Sequence, residues 1–480
     1  MNFQFADYLI VAAYITAILY IGNFLSHKNK PKPNNAVEDY ILAGRQLTLP
    51  LFVGTLVASW YGNIFGVGEF IYGRGLVGWL CFGFPYYIAG LIFALFFAKK
   101  VRSYNVFTIP EQINLKYGRI PSFVASVIVL VITIPAAYIL MLGFIIKLFT
   151  HWDLNICIIV AAVLALLYIY RGGFRSDVLT NTAQFILMYI GFGALLIFTL
   201  IHFGSFDTML TALPEAHKKL SGNYSIQIII VWFIIALQTF VDPSFHQRCS
   251  SAQTPSIAKN GILVSIIFWM IFDFFTLSTG LYARAYIKLD DPMMSFPALG
   301  EAVMPVVWKG LFLVAMLSTV MSSLTSYTFI SGTTIGHDIL KPLQKRFALL
   351  NNINTQTLIR FGLIVSIFFS VLLAISLPSA VGLIYKTSSI AVPGLLAPLI
   401  LSYFKKDYIK KKQASIIMLT SSSTSALWQL FIFLIDKKVI ILNSFVISIE
   451  PMIPGIIVSI ILSSIFVIKK KSNVDNIKYY

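Results

Sequence analysis

The sequence predicts an all-α polytopic membrane protein of about thirteen transmembrane helices, built as an inverted repeat with two interrupted helices. Of its 480 residues, 58% are hydrophobic and 11% are charged. A soluble domain carries about 25% charged residues, so this chain has too few to cover a water-facing surface. Its apolar runs extend over about twenty residues without alternating with polar ones, which excludes a β-barrel.

The predicted helices follow one another closely and form one transmembrane domain over residues 1–470, followed by a short cytoplasmic tail at 471–480. The first apolar run is expected to be a retained helix, because Asp7 precedes it instead of a basic segment and no small-residue cleavage pattern follows it. In chain order we expect helices near 6–26, 48–72, 76–98, 122–148, 154–170, 180–202, 226–247, 260–287, 306–337, 358–377, 380–404, 414–435 and 452–469.

Lysine and arginine are concentrated in alternate connections between these helices. One set of connections includes the basic run 405–412 and the segment 469–478, whereas the opposite set holds few basic residues. By the positive-inside rule, the N-terminus lies outside and the C-terminus lies in the cytoplasm, in a bacterial cytoplasmic (inner) membrane. The net charge of +17 is therefore a topology signal and does not indicate nucleic-acid binding.

Two predicted helices contain features that lipid-facing helices avoid. Glycines surround residues 58–63 in the second helix, and the polar segment 238–243 ends in Pro243 in the seventh. Proline lacks an amide hydrogen and disfavours helix at the preceding Asp242. Interrupted helices that each open a block of five favour a transporter with inverted repeats, here 48–202 and 226–404.

The ninth predicted helix is rich in hydroxyl groups, at Ser318, Thr319, Ser322, Ser323 and Ser326. Their spacing groups several of them on one side of the helix, and an uncharged oxygen suits a weakly held monovalent cation such as sodium. Small residues also allow two helices to pack closely. On its own, this segment favours the packing interpretation.

Ionisable residues within the predicted helices are candidate functional groups, because an unpaired charge in hydrocarbon is costly. Asp242 adjoins an interruption and is expected to be functional, whereas Asp273, among phenylalanines, is expected to be structural. The other candidates are Glu69, Asp177 and Lys386. The sequence has no P-loop, nucleophile elbow or His-Glu-x-x-His motif, so it predicts neither an ATP-driven pump nor an enzyme.

Five segments, taken in order over roughly residues 39–403, resemble motifs of the sodium:solute symporter family. They are Asp39-Tyr40-Ile41-Leu42-Ala43-Gly44-Arg45, Ala58-Ser59-Trp60-Tyr61-Gly62, Gly172-Gly173-Phe174 with Thr180 and Gln184, Gln247-Arg248, and Met321-Ser322-Ser323 with Gly336-His337-Asp338. The resemblance implies a LeuT-like fold of five plus five helices, with sodium-driven uptake by alternating access.

The resemblance also implies a sodium site. In the family, carbonyls at the first interruption and hydroxyls of the ninth helix hold the ion, and those positions fall here on Ala58, Tyr61, Ser322 and Ser323, with Thr319 beside them. This pairing reverses the interpretation of the hydroxyl-rich helix in favour of sodium. Ser318 and Ser326 are left to close packing.

One position departs from the family pattern. Asn181 follows Thr180 where the family usually carries an aspartate linked to sodium handling. Asp177 lies four residues earlier, on nearly the same helical face, and is the candidate to replace it in coupling. Sodium is the expected co-transported ion, with proton coupling through Asp177 or Asp242 as an alternative.

The sequence therefore predicts a sodium-coupled symporter that imports a small polar organic solute, an amino acid or organic acid in preference to a sugar. An acid in the pocket favours a solute bearing an amine, unless Lys386 neutralises it. A transporter-like membrane sensor that does not transport is a further alternative. The protein is expected to be a monomer or a weak homo-oligomer in the lipid bilayer. The expected solute-binding residues are Trp60, Asn63, Glu69, Gln238, Asp242 and Lys386.

Overall fold

Helices make up the regular structure of the computed structural model, which describes residues 3–24, 36–344, 346, 352–377, 380–404, 408–436 and 449–477. Within these residues, β pairing is limited to an isolated bridge between Leu47 and Ala252. The all-α fold predicted from the apolar runs is confirmed. The main helices are Phe5–Asn23, Leu49–Ala58, Ile64–Arg74, Phe84–Phe96, Arg119–Thr133, Ala136–Thr150, Leu154–Phe203, Ile226–Ile235, Pro243–Ser251, Pro255–Tyr286, Trp308–Thr333, Thr355–Ser376, Ala380–Ser402, Lys411–Asp436 and Met452–Ile477.

The lengths and apolar character of these helices indicate a multi-pass membrane protein. In the described parts of the chain, 8 helices are long and apolar enough to cross a membrane, or 9 if one bent pair is counted as a single span. Shorter apolar helices such as Leu49–Ala58 accompany them. The number of crossings given by the sequence, about thirteen, stays a prediction.

Both predicted interruptions are present. The first broken helix consists of Leu49–Ala58 and Ile64–Arg74, with residues 59–63 between the halves. The second broken helix consists of Ile226–Ile235 and Pro243–Ser251, joined through a 3₁₀ turn at Ala236–Phe240 and bent by 40°. Asp242 caps its second half, because the carboxylate accepts a hydrogen bond from the Ser244 amide at 2.7 Å.

A third interruption, not predicted from the sequence, divides the helix expected near 122–148. Arg119–Thr133 ends just before Pro135, and Ala136–Thr150 begins after it. Proline disfavours helical conformation at the preceding residue, and Ile134 accordingly has a ψ of 116°. The break places Tyr138 in the first turn of the second half, where it reaches the candidate site.

The helices expected near 154–170 and 180–202 are two helices that meet at a kink at Gly173 within Leu154–Phe203, which is called the long helix here. Gly173 has a φ of 59°, a conformation that favours glycine. A Cβ at this position would lie 2.6 Å from the Tyr40 carbonyl oxygen. Glycine therefore allows the short helix Ala36–Leu42 to pack against the kink.

The hydroxyl-rich helix, Trp308–Thr333, is called the serine-rich helix here, and the span that contains it is the most buried of the described helices long enough to cross a membrane. Its N-terminus is capped by Asp7, whose Oδ1 accepts hydrogen bonds from the amides of Val307 and Gly310 at 3.0 and 2.9 Å. Tyr14, on the first helix, donates to the sulfur of Met321 at 3.6 Å. The first helix therefore helps to hold the serine-rich helix in place.

Candidate cation site and solute cavity

Two hydroxyls of the serine-rich helix bond directly to the first break. Ser322 Oγ donates to the Ala58 carbonyl oxygen at 2.8 Å, and Ser323 Oγ donates to the Ser59 carbonyl oxygen at 2.8 Å. All four residues are buried. These carbonyls lack helical partners because the helix ends there, and the serine hydroxyls supply them.

Gly62 makes this close approach possible. A Cβ at Gly62 would lie 2.3 Å from both Cβ and Oγ of Ser323 and 2.5 Å from the Tyr138 ring. Neither neighbour can withdraw easily, since both lie in packed helices. The glycine therefore sets how near the first broken helix comes to the serine-rich helix.

The Tyr61 carbonyl and the Thr319 hydroxyl, both expected sodium ligands, make no hydrogen bond between the first broken helix and the serine-rich helix in the described structure, so their part in the site stays a prediction. The Tyr61 hydroxyl donates to the Trp269 carbonyl at 3.0 Å and to Asp273 at 2.8 Å. The second carbonyl that bonds to the serine-rich helix is that of Ser59. Thr319 donates its hydroxyl to Met316 of its own helix at 2.7 Å. Ala58, Ser322 and Ser323 are brought together as expected.

The chemistry of this contact suits a monovalent cation. Its oxygen atoms belong to carbonyls and hydroxyls and carry no formal charge, and they come from two separate helices. Carbonyls of interrupted helices are the usual ligands of sodium ions at the midplane of transporters with this architecture. For the serine hydroxyls to join such a ligand set, each hydrogen rotates away from its carbonyl partner and exposes an oxygen lone pair.

One helical turn further along the serine-rich helix lies a buried ion pair. Arg248 Nη2 is 3.2 Å from Asp177 Oδ2, and both side chains are 0% exposed. Thr325 and Ser326 donate hydroxyl hydrogen bonds to the same carboxylate at 3.0 and 2.9 Å. Asp177, a candidate functional residue in the sequence, therefore has Arg248 as its ion-pair partner. The sequence did not predict this pairing.

Asn181 belongs to the same network. Its amide donates to Ser326 at 3.0 Å and to Thr55 at 3.2 Å, and Arg248 donates to those same two hydroxyls at 2.8 and 3.1 Å. The sequence left Ser326 to close packing, and that prediction is wrong. The hydroxyl of Ser326 accepts two hydrogen bonds and donates to Asp177, which uses its full capacity.

A cavity of about 160 Å³ opens beside the first break. Four expected solute-binding residues line it, namely Trp60, Asn63, Gln238 and Asp242. Glu69 and Lys386 do not, since both are exposed on other surfaces. The remaining lining residues are Ser59, Tyr61, Val67, Ile71, Gly78, Trp79, Phe82, Gly83, Tyr86, Tyr138, Asp273, Thr276, Leu277 and Tyr327.

Both carboxylates in the cavity are held by tyrosine hydroxyls. Tyr327 donates to Asp242 Oδ2 at 2.9 Å. Asp273 accepts from Tyr61 at 2.8 Å and also from Tyr87. Asp273 was expected to be structural, and its two tyrosine partners fit that role, but it also lines the cavity. The phenylalanines next to Asp273 in the sequence gave no indication that this residue faces a cavity.

Aromatic rings form much of the remaining wall. Trp60 meets Tyr86 edge to face at 5.3 Å, and Tyr138 packs on Tyr327 at 5.2 Å. Of these four residues, the sequence singled out Trp60 alone. Pro135 was the available signal for Tyr138, because a break at that point turns the following residues into a cavity wall.

Comparison with known proteins agrees with the family resemblance of the sequence motifs. Residues 40–414 match the model of the sodium:solute symporter family, well over half of the chain. The chain belongs to the sodium:solute symporter family. The resemblance predicted from five short motifs is thereby confirmed, and this is a family of transporters and not of enzymes.

Transporters named for different solutes are similar to this chain. Sodium/glucose cotransporter 4 of Danio rerio is 25% identical over 390 residues, covering 71% of this chain and 59% of that protein. The human high affinity choline transporter 1 is 26% identical over 357 residues, covering 68% of this chain and 60% of that protein. The chain thus spans about three fifths of the length of these relatives.

Solved structures show the same fold as this symporter-family chain. A substrate-bound, outward-open Na⁺-coupled sialic acid symporter matches with a TM-score of 0.76 at 16% identity, covering 97% of this chain and 98% of that chain. Mhp1, a nucleobase-cation-symport-1 family transporter, matches with a TM-score of 0.56 at 11% identity, covering 89% and 94%. The LeuT-like architecture that the family resemblance implies is confirmed.

Proposed function

We propose that this chain is a sodium-coupled symporter that imports a small polar organic solute across the cytoplasmic membrane. One observation carries the proposal: a single break contributes to both sites. Ala58 and Ser59 bond to the serine-rich helix, and Trp60 and Asn63, next in the chain, line the cavity. A cation that orders the first pair also orders the second, which is a coupling free energy between two sites.

The names of similar proteins support sodium as the driving ion. Those proteins include a sodium/glucose cotransporter and a Na⁺-coupled sialic acid symporter. The choline transporter among the relatives shows that the solutes named for them differ widely in charge. The similar proteins therefore support the identity of the ion, whereas the solute depends on this chain's own cavity.

In the proposed cycle, sodium strengthens the contact between two helices. With the ion bound, the oxygen atoms of Ala58, Ser322 and Ser323 all point at one positive charge, where the ion-free contact has two hydrogen bonds. This holds the first broken helix against the serine-rich helix while solute enters. Loss of the ion weakens that contact and allows the rocking motion that exposes the cavity to the other side.

The residues that line the cavity limit the kinds of solute that it can bind. Its mixture of aromatic, amide and carboxylate groups suits a small solute with both polar and apolar parts. The sequence favoured an amino acid or organic acid over a sugar. None of the described lining residues is Lys, Arg or His, so an organic acid without an amine would lack a basic partner.

Proton coupling is less well supported than sodium coupling. As a proton carrier, Asp177 would leave Arg248 buried without its charged partner, at a cost of about 3–5 kcal/mol. Asp242 remains as a proton carrier under that alternative. The outward N-terminus, the cytoplasmic C-terminus and the repeats 48–202 and 226–404 are part of the proposal and follow from the sequence.

The deciding experiment is uptake into proteoliposomes with an imposed sodium gradient, screened over amines, amino acids, organic acids and nucleosides. Accumulation that collapses when the sodium gradient is abolished supports the proposal. Accumulation that follows a proton gradient and ignores sodium would contradict the ion assignment. A chain that binds solutes but never accumulates them would favour the membrane sensor.

A further inference from the structure

We propose that the solute is an organic cation, bound by the carboxylates of Asp242 and Asp273 within the aromatic wall of the cavity. This inference rests on the proposed function and names the chemical class that the symporter carries. Four features of the cavity support it: its charge, the hydrogen-bonding capacity of Asp242, its rings, and the nearby helix terminus.

The charged groups that line the cavity are both acidic. Asp242 and Asp273 are its carboxylates, and no described lining residue is basic. Arg248 forms its ion pair with Asp177, interacts with Asp242 electrostatically but without a hydrogen bond in the described structure, and is not among the lining residues. Lys386, which could have neutralised an acid, lies exposed on the helix Ala380–Ser402. Among the described side chains, Asp177, Asp242 and Asp273 thus have one buried guanidinium between them. Excess negative charge at membrane depth is costly, and a bound cation offsets it.

Asp242 has capacity left for a ligand. Oδ1 accepts a hydrogen bond from the Ser244 amide at 2.7 Å, Oδ2 accepts one from Tyr327 at 2.9 Å, and the Phe245 amide also donates to the carboxylate. A carboxylate has about four acceptor positions, so these contacts orient it without saturating it. The protein therefore holds the carboxylate in one place and leaves it able to accept from an ammonium group.

The rings beside these carboxylates suit a cation as well. The Trp60 and Tyr86 rings meet at 74°, so the two form a corner, and Tyr327 bonds to Asp242 while packing on Tyr138. Ring faces attract ammonium groups by about 0.5–2 kcal/mol each, more when water is excluded. A carboxylate close to aromatic ring faces is a combination of groups that binds alkylammonium ions.

The half-helix that opens at the cavity is not available to a solute anion. Helix N-termini in broken helices commonly point at anionic groups of the substrate. In the second broken helix that position is taken, because the carboxylate of Asp242 caps Pro243–Ser251. The chain thus supplies its own anion where another transporter would bind one, and it turns the same anion toward the cavity.

Ligand binding to the full-length protein, purified in detergent with sodium chloride present, tests this directly. The panel contains two cations, choline and ethanolamine. It also contains 3,3-dimethylbutan-1-ol, which is the neutral carbon isostere of choline, together with trimethylglycine and propionate. We expect the two cations to raise the melting temperature and the neutral isostere and propionate to have no effect. Tighter binding of trimethylglycine or propionate than of both cations, or no binding of either cation, would overturn the proposal.

Asp242→Asn separates charge from folding. Asparagine caps helices as well as aspartate, so the second broken helix keeps its cap while the cavity loses a negative charge. We expect cation affinity to fall by at least about tenfold. Glu69→Gln is the matched control, since Glu69 is an exposed carboxylate outside the cavity, and it should bind the cations like the parent. Equal affinity in the parent and Asp242→Asn proteins would contradict the assignment.

The two proposals fail in different experiments. Sodium-driven uptake of a solute that is neutral or anionic, without competition from the cations, would remove this inference and leave sodium coupling standing. Cation binding without sodium-driven accumulation would remove the proposed symport and leave the cavity assignment intact.

Discussion

Arg248 and Asp177 form a fully buried ion pair that links the second broken helix to the long helix, with Nη2 3.2 Å from Oδ2. The serine-rich helix joins the pair through Thr325 and Ser326. Elements of both predicted repeats therefore meet at one charge pair. Because breaking a buried pair is far more costly than breaking an exposed one, this contact constrains how the two repeats can move.

Asp177→Asn is expected to destabilise the protein by about 3 kcal/mol, since the buried guanidinium of Arg248 loses its ion-pair partner and keeps only the weaker electrostatic interaction with Asp242. Thermal unfolding in detergent measures the effect. The double variant Asp177→Asn with Arg248→Met should regain much of the loss, because neither charge then remains. Equal stability of the parent and the single variant would show that the pair does not hold the helices together.

Ser322→Ala should raise the sodium concentration for half-maximal uptake by about fivefold, the equivalent of losing one contact of roughly 1 kcal/mol. Ser323→Ala should act in the same direction. Ser318→Ala is the control, because Ser318 is buried on the same helix but has no hydrogen bond to the first broken helix in the described structure. A sodium dependence that is unchanged in both test variants would remove the hydroxyls from the site.

Gly62→Ala should impair both stability and uptake, because the added Cβ would lie 2.3 Å from Ser323. Overpacking of this kind typically costs about 1–3 kcal/mol. Gly73→Ala, in the same broken helix, provides a matched comparison, since a Cβ there meets nothing within 4 Å. Similar losses of uptake in the two variants would contradict the close-approach argument.

The contact between His217 and Tyr72, outside the membrane-spanning segments, is expected to depend on pH. Its ring Nε2 lies 3.1 Å from the Tyr72 carbonyl oxygen. Burial lowers the pKa of His217, and the nearby charges of Arg284 and Arg74 act in the same direction, against the hydrogen bond to Tyr72. The neutral ring is therefore the form that packs, whereas an undocked ring titrates near its usual pKa of about 6.5.

The sign of the His217 effect follows from proton binding. Because the undocked state binds more protons below about pH 6.5, docking should be complete above that pH and weaken as the pH falls. Limited proteolysis of the segment 204–225 at pH 7.5 and 5.5 checks this, with faster cleavage expected at the lower pH. His217→Gln should reduce the difference, and Glu215→Gln, a change at a neighbouring exposed acid, should not.

The local features of the chain were predictable where a backbone rule applied. Pro243 in a polar segment predicted the second break, and glycines around Ala58 predicted the first. The break at Pro135 could have been found by the same rule. The partner of Asp177 could not, because Arg248 is 71 residues away in the chain and nothing local indicates that the two meet.

The sequence by itself determined the helical membrane fold, the family and the two interruptions, because these depend on apolar runs, short motifs and residues that break helices. Only the tertiary structure decided which side chains face one another across helices. It paired Ser323 with Ser59, placed Asp273 in the cavity and left Glu69 and Lys386 outside it. In a bundle where most helices are apolar on every side, periodicity does not mark an inward face, so packing alone sets the composition of the cavity.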